Sequence, residues 1–331
     1  MTLRVLDQFG YDGQSASSSE RHMNIRPSGD IRPAQASDRH SPCVGVCTLD
    51  PAMGWCLGCG RTGDEIASWI GLDDAGRLAI WNELPARLDR LAVRARLLPW
   101  TRDELKRWIT RTLTDRKGTW VTGVPGAVAE FPVRPERAIE IEADEAAIEA
   151  QATDAHLRLR LHDKLRAFAF AGSGPIVLAW PRNRAGLPRA QGFTPLGLDH
   201  DAVGCHHRTH ELFDLGLNRQ CSRFMLRASS LAFAETIRRH EGKGLEPLLS
   251  DAGAAILQES PHRVVESALA RIEVFTRIPL PSEKSPEGAH THLLPSFLES
   301  GAELPAGLAI PAFACPIAIY YPLVDEKAGS Y

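Results

Sequence analysis

The chain has 331 residues, 44% of them hydrophobic and 24% charged, enough for two domains or for one domain with a small appended module. A formal net charge of -3 excludes a global basic field that would draw in nucleic acid or an anionic membrane. No apolar run approaches the roughly 18 residues of a membrane span, and the polar N-terminus lacks the apolar core of a signal peptide. The expected setting is a bacterial-type cytoplasm, where clustered thiols read as metal ligands or redox groups before disulfides.

Residues 1–40 read as a disordered leader. Gln14 to Glu20 is polar and low in complexity, and Gly, Pro, Ser and Asp recur up to His40. Such a segment cannot bury enough apolar surface to offset its ordering entropy.

The next stretch, Ser41 to Arg61, concentrates the chemistry. It holds four of the seven cysteines, Cys43, Cys47, Cys56 and Cys59, spaced C-x3-C-x8-C-x2-C. Asp50-Pro51 and Met53-Gly54 are turn signals, so the inner segment is expected to fold back on itself. Cys56-Leu57-Gly58-Cys59-Gly60 is built like a zinc knuckle, in which glycines let backbone N–H groups approach the thiolates. A helix is expected to follow, with Thr62 and Glu65 as its capping box and Ile66, Trp69 and Ile70 as its apolar stripe. A second helix is expected from Asp73 or Asp74 to Leu98, kinked or restarted at Pro85. Its Arg87, Arg90, Arg94 and Arg96 read as a solvated face before a nucleic-acid face, because no aromatic residues are interleaved. A module over residues 41–98 is too small for much of a core, and a bound metal would supply the missing stability.

Pro99-Trp100-Thr101 marks a boundary. Thr101 and Glu104 form a second capping box for a short helix to Arg111. From there residues 101–325 read as an α+β domain. The expected elements are a hairpin over Trp120 to Phe131, strands at Ala138 to Glu142, His156 to Leu161, Pro175 to Trp180 and Phe224 to Arg227, and helices at Asp144 to Gln151, Ser229 to His240 and Gly244 to Glu259. A long strand is expected over Val264 to Ile278 and a last one at Pro316 to Tyr321.

The first module resembles a known family. SPCVGVC, then GWCLGCGRTGDEIASW, then an acidic helix start, are similar to the short bacterial four-cysteine family described as predicted Fe–S proteins of unknown function. The likeness covers about Ser41 to Leu91. It implies a metal site at Cys43, Cys47, Cys56 and Cys59, and no activity.

Three readings of the four thiols stay open. The knuckle geometry favours Zn²⁺. An iron–sulfur cluster is the alternative, although its typical cysteine spacings differ from this one. Redox-active thiols are the third. Four sulfur ligands leave no open coordination position, so the metal would be structural or electron-carrying. The expected role is a docking or regulatory attachment for a protein partner; a nucleic-acid-binding zinc module is a weaker alternative.

A second constellation lies in the large domain. Asp199-His200-Asp201 is followed by Cys205-His206-His207-Arg208-Thr209-His210-Glu211. On a helix, His206 and His210 would be i,i+4 neighbours, as two metal ligands are. His290 and His292 would share one face of a strand. Together these four describe a metalloenzyme site with an open water position; the sequence does not decide whether the domain is an enzyme. His262 precedes a strand and is left outside the set. His156 and His162 read as surface residues, and Cys221 and Cys315 as small buried core residues.

Overall fold

Beyond the first hundred residues most of the regular structure is strand, with burial alternating cleanly along Gly118–Val124 and Ala147–Ala152 and continuous along Ala270–Val274. The computed structural model describes residues 41–42, 49–50, 53–56, 59–91, 95–170, 174–280, 283, 287–305 and 308–323. The expected leader, Cys43, Cys47 and Arg94 lie outside the described residues. The first elements among the described residues are helices α1 (Gly63–Ser68) and α2 (Asp74–Arg90), a short strand β1 (Arg96–Leu97) and helix α3 (Arg102–Asp115). Strands follow: β2 (Gly118–Val124), β3 (Ala127–Val133), β4 (Glu140–Ala143), β5 (Ala147–Ala152), β6 (Ala155–Arg160), β7 (Arg166–Ala169), β8 (Ile176–Pro181), β9 (Thr194–Leu198), β10 (Glu211–Asp214) and β11 (Ser222–Ala228). Helices α4 (Leu231–Arg238) and α5 (Leu245–Glu259) interrupt the run. The chain closes with β12 (His262–Ser267), β13 (Ala270–Val274), β14 (His290–Leu293), helix α6 (Pro295–Leu298) and β15 (Ala314–Pro322). The fold is α+β.

The strands form two antiparallel sheets, a seven-stranded one in the order β1-β7-β8-β15-β2-β3-β14 and an eight-stranded one in the order β4-β5-β6-β13-β12-β11-β10-β9. They pack face to face, with β2 and β3 against β11, β12 and β13. Trp120, Ala129 and Phe131 from the first sheet share a core with Leu157, Phe224, Leu226, Val265 and Ile272 from the second. Thr122 and Ser267 each donate to the carbonyl of Ile317, which joins the sheets by polar contacts as well. Helix α3 closes one side through Leu105, Ile109 and Leu113, and α4 and α5 contribute Phe233, Ile237, Leu248 and Ile256.

Both expected capping boxes are present, Thr62 with Glu65 and Thr101 with Glu104. Other expectations need correction. Asp144 to Gln151 is not helical: Ile148, Ala150 and Ala152 point inward in alternation along β5, and pairing with β6 overrides the helix preference of its alanines. Val264 to Ile278 is not one strand but the hairpin of β12 and β13, with the Ser267 hydroxyl accepting from the Ala270 N–H at its turn. Helix α2 runs unbroken past Pro85 but ends at Arg90, and Leu97 enters the sheet instead of prolonging it. Helix α3 continues beyond Arg111 to Asp115.

The helices before Thr101 do not stand apart. Trp69, Trp81, Leu84 and Leu88 pack with Leu97, Phe168, Ala179, Phe313 and Ala314, which belong to the seven-stranded sheet and its approach. The apolar face of α2 therefore covers the outer side of that sheet.

Candidate functional site

The described half of the cysteine motif is a tight turn. Cys56 pairs across a bridge with Leu49, and Trp55 with Thr62. The Gly60 N–H donates to the Cys56 carbonyl at 2.7 Å, and the Cys56 N–H to the Arg61 carbonyl at 2.7 Å. Both thiols are buried, and contact with Cys56 together with burial pushes the Cys59 thiol up. Arg61 is itself buried, donates from Nε to Cys59 Sγ at 3.4 Å and lies over the Trp69 ring at 4.7 Å. A guanidinium beside a buried sulfur favours the thiolate, which is the form that binds metal.

Arg87 anchors this turn to α2. It donates to Glu65 at 2.6 and 2.9 Å and to the Gly60 carbonyl at 3.3 Å. Burial opposes the Glu65 charge, but Arg87 and the Thr62 N–H hold its carboxyl below the usual range. The expected solvated arginine face is therefore corrected at Arg87, whose side chain is used inside the module; Arg90 lies over the Trp55 ring at 5.0 Å.

The second site grows from the outer face of the eight-stranded sheet. Strand register puts Arg223, Met225 and Arg227 of β11 on one face with His262, Val264 and Glu266 of β12, Arg271 and Glu273 of β13, and His156 and Arg158 of β6. This face is largely charged, and the segment from Asp199 to His210 covers it. Arg227 donates to Asp199 at 2.9 and 2.6 Å and pairs with Glu273 at 2.8 Å. Arg271 donates to Glu273 at 2.7 Å and also bonds Asp199. The Val203 N–H donates to Glu273 at 3.0 Å. Asp201 binds Arg160 at 2.7 and 2.9 Å. Burial opposes ionisation of Glu273, yet Arg227 and Arg271 hold its carboxyl at about 2.

The same covering segment inserts histidines. Residues Cys205–Thr209 form a 3₁₀ turn, not the expected α-helix, and His210 follows in extended conformation. The His210 N–H donates to the His207 carbonyl at 3.1 Å, and the two rings lie 5.7 Å apart, while His206 is exposed. One ligand atom each of His207, His210 and His262 lies within 4.8 Å of the other two. The Phe275 ring packs against His156, His207 and His262 at centroid distances of 4.7, 4.8 and 4.7 Å. Gly204 lets the segment close over His156: a Cβ there would lie 2.8 Å from His156 Cε1. Burial and the Arg227 charge hold His207 down at about 3 and His262 at about 4, and lower His210 as well. All three imidazoles are neutral near pH 7.

The expected quartet of His206, His210, His290 and His292 is thus divided between two places. His290 and His292 lie on β14 opposite β3, with Glu130 at 3.7 and 3.4 Å. Burial opposes the Glu130 charge, but the two histidines keep its carboxyl low. His207 and His262 escaped the sequence reading because helical spacing selected His206; the i,i+3 pair of His207 and His210 was the available signal. His156 is buried, contrary to the surface reading, whereas His162 is exposed. Cys221 and Cys315 are buried as expected, but they meet each other across the two sheets beside Glu303. Glu303 is already bound by Arg182 at 2.6 Å through each oxygen.

Two family models match separate parts of the chain. Residues 41–88 match the model of a family described as a protein of unknown function (DUF1289). No curated protein and no solved structure matches the chain. Residues 104–328, well over half of the chain and nearly the whole of the sandwich, match the model of a family of unknown function (DUF6925), and to that family the chain belongs.

Proposed function

We propose that this chain is a metal-binding protein in which Cys43, Cys47, Cys56 and Cys59 hold one Zn²⁺ and make residues 41–98 a structural and protein-docking attachment to the sandwich. The observation that carries the reading is the buried Cys56–Cys59 pair with Arg61 Nε 3.4 Å from Cys59 Sγ. A zinc ion with four thiolates leaves a net charge near -2, and a buried guanidinium is the group that would offset part of it. The match of residues 41–88 to a cysteine-bearing family adds support. Thiolate ligation of this kind fits a reducing, cytoplasmic setting.

Full-length protein purified without oxygen tests the proposal by its colour and metal content. Zinc bound to a colourless protein, reduced by about one ion per chain in the Cys56→Ser/Cys59→Ser variant, is the expected result. A brown protein with broad visible absorbance and bound iron replaces zinc by an iron–sulfur cluster on the same ligands. Metal content identical in the variant and the parent overturns metal binding by the module.

A further inference from the structure

We infer that His207, His210 and His262 form a second metal site, specific for a borderline first-row dication such as Zn²⁺, on the outer face of the eight-stranded sheet. The inference goes beyond the cysteine module and shares no residue with it. Three observations carry it. One ring nitrogen of each histidine lies within 4.8 Å of the other two. His207 is only 5% exposed, and neither of its ring nitrogens finds a hydrogen-bond partner among the described residues; Nδ1 of His210 and Nδ1 of His262 are in the same condition. A buried polar group without a partner costs about 1–3 kcal/mol, and several in one place need a common explanation that a shared cation supplies. Finally, the three rings come from a 3₁₀ turn, the residue that follows it and the first residue of β12; Phe275 packs against the His207 and His262 rings, and the His210 ring lies 5.7 Å from that of His207 and 6.4 Å from that of His262.

The charged surroundings tolerate a dication. Arg227 is the main source of repulsion, but Asp199 and Glu273 both bind it, and Arg271 is bound to the same two carboxylates. The four side chains are neutral in sum.

The other clusters lack this signature. Glu130 pairs with His290 and His292, and Glu303 with Arg182, so the polar atoms there already satisfy one another. Imidazole donors select zinc, copper, nickel or iron over magnesium and calcium, which prefer oxygen. No fourth His, Cys, Asp or Glu atom joins the group among the described residues. A four-coordinate ion would therefore take its last ligand from water or a small molecule, the arrangement of catalytic rather than structural zinc.

The test uses full-length protein stripped with a chelator and titrated with Co²⁺ and then Zn²⁺. Cobalt on cysteine gives sulfur-to-metal charge transfer, whereas cobalt on imidazole gives only d–d bands, so the two sites report separately. The parent should take up a second equivalent without new charge transfer. His262→Gln and His210→Gln should each weaken that equivalent by at least about 100-fold, more than is typical for loss of a supporting contact, and leave the charge-transfer band unchanged. His210→Gln guards against a folding defect, because His210 is only half-buried. The inference is overturned if both variants, folded by circular dichroism, bind zinc with the parent's stoichiometry and affinity. It is equally overturned if the Cys56→Ser/Cys59→Ser variant binds no cobalt.

Discussion

At the scale of single residues, the sandwich is unusual for what one of its sheets buries. Glu273 and Arg227 are fully buried and paired with each other, Asp199 and Arg271. Removing one partner of such a set strands a charge, which costs roughly 3–5 kcal/mol. Glu273→Ala should therefore lower the urea midpoint far more than loss of an exposed ion pair such as that of Arg277 with Glu283. The pH dependence has a definite sign. His207 and His262 sit near 3 and 4 in the folded protein, below their unfolded value of about 6.5, so between those limits the unfolded chain binds more protons. Glu273 is held at about 2, below its unfolded value of about 4.5, and adds a further loss of stability as the pH falls from 4.5 toward 2. Metal-free protein should thus show a Tm that drops steadily below pH 6.5, and in Glu273→Gln the part of the drop below pH 4.5 should shrink. A Tm that is flat from pH 7 to 4 would remove the buried neutral imidazoles from the account. These residues were only partly legible in the sequence. The run from Asp199 to His210 stands out as chemistry, and His210 belongs to both the expected set and the observed one. Which imidazoles meet depends on a 3₁₀ turn and on strand register between His262 and Arg227, neither of which spacing along the chain encodes.

At the scale of elements, local chemistry made some features plain and left others hidden. The two capping boxes are complete within four residues, so they could be read directly. Thr101→Ala removes the side-chain acceptor of the Glu104 N–H and should cost about 1 kcal/mol. The β2–β3 hairpin was equally legible from its Gly-Val-Pro-Gly turn. Gly123 there has a φ of +115, and a Cβ would lie 2.2 Å from the Ala127 carbonyl oxygen. Gly123→Ala should therefore destabilise the fold more than Thr101→Ala does, because strained backbone and an atomic clash add to each other. Chemical denaturation of the two variants side by side reads the order. Strands β7, β9 and β10 were not anticipated. They are only four or five residues long and owe their conformation to neighbours distant in sequence, as Phe168 does to Val177 and Phe213 to Leu226. The same dependence on partners turned the alanine-rich β5 from an expected helix into a strand.

At the scale of the whole molecule, the question is what holds residues 41–98 in place. Size alone suggests that the module would depend on the proposed metal, since so short a stretch buries little. The packing alters that expectation. Trp81, Leu84 and Leu88 are buried against Phe168, Ala179 and Phe313 of the sandwich, so α2 belongs to a core that continues into the seven-stranded sheet. Strand β1 ties the same stretch to β7, and Arg166 on β7 reaches back to the Ser41 carbonyl. Under the proposed zinc site the metal would stabilise a turn, while the sheet stabilises the helix. Two outcomes follow for full-length protein. Trp81→Ala removes a large buried ring and should lower stability by about 3–5 kcal/mol in one cooperative transition of the whole chain, not in a separate early step. Chelation should lower the Tm yet keep α2 docked, which Trp81 fluorescence reports if the other six tryptophans are replaced by phenylalanine. A two-step melt after chelation, with Trp81 exposed at a temperature where the sheets are intact, would show instead that the metal and not the shared core holds the module on the sandwich. The cooperativity of that single melt is the quantity that separates the two accounts, because a module stabilised only by its own ion unfolds without consulting the sheet, whereas a helix whose apolar face is part of the sheet's core cannot leave without exposing Phe168 and Phe313 to water.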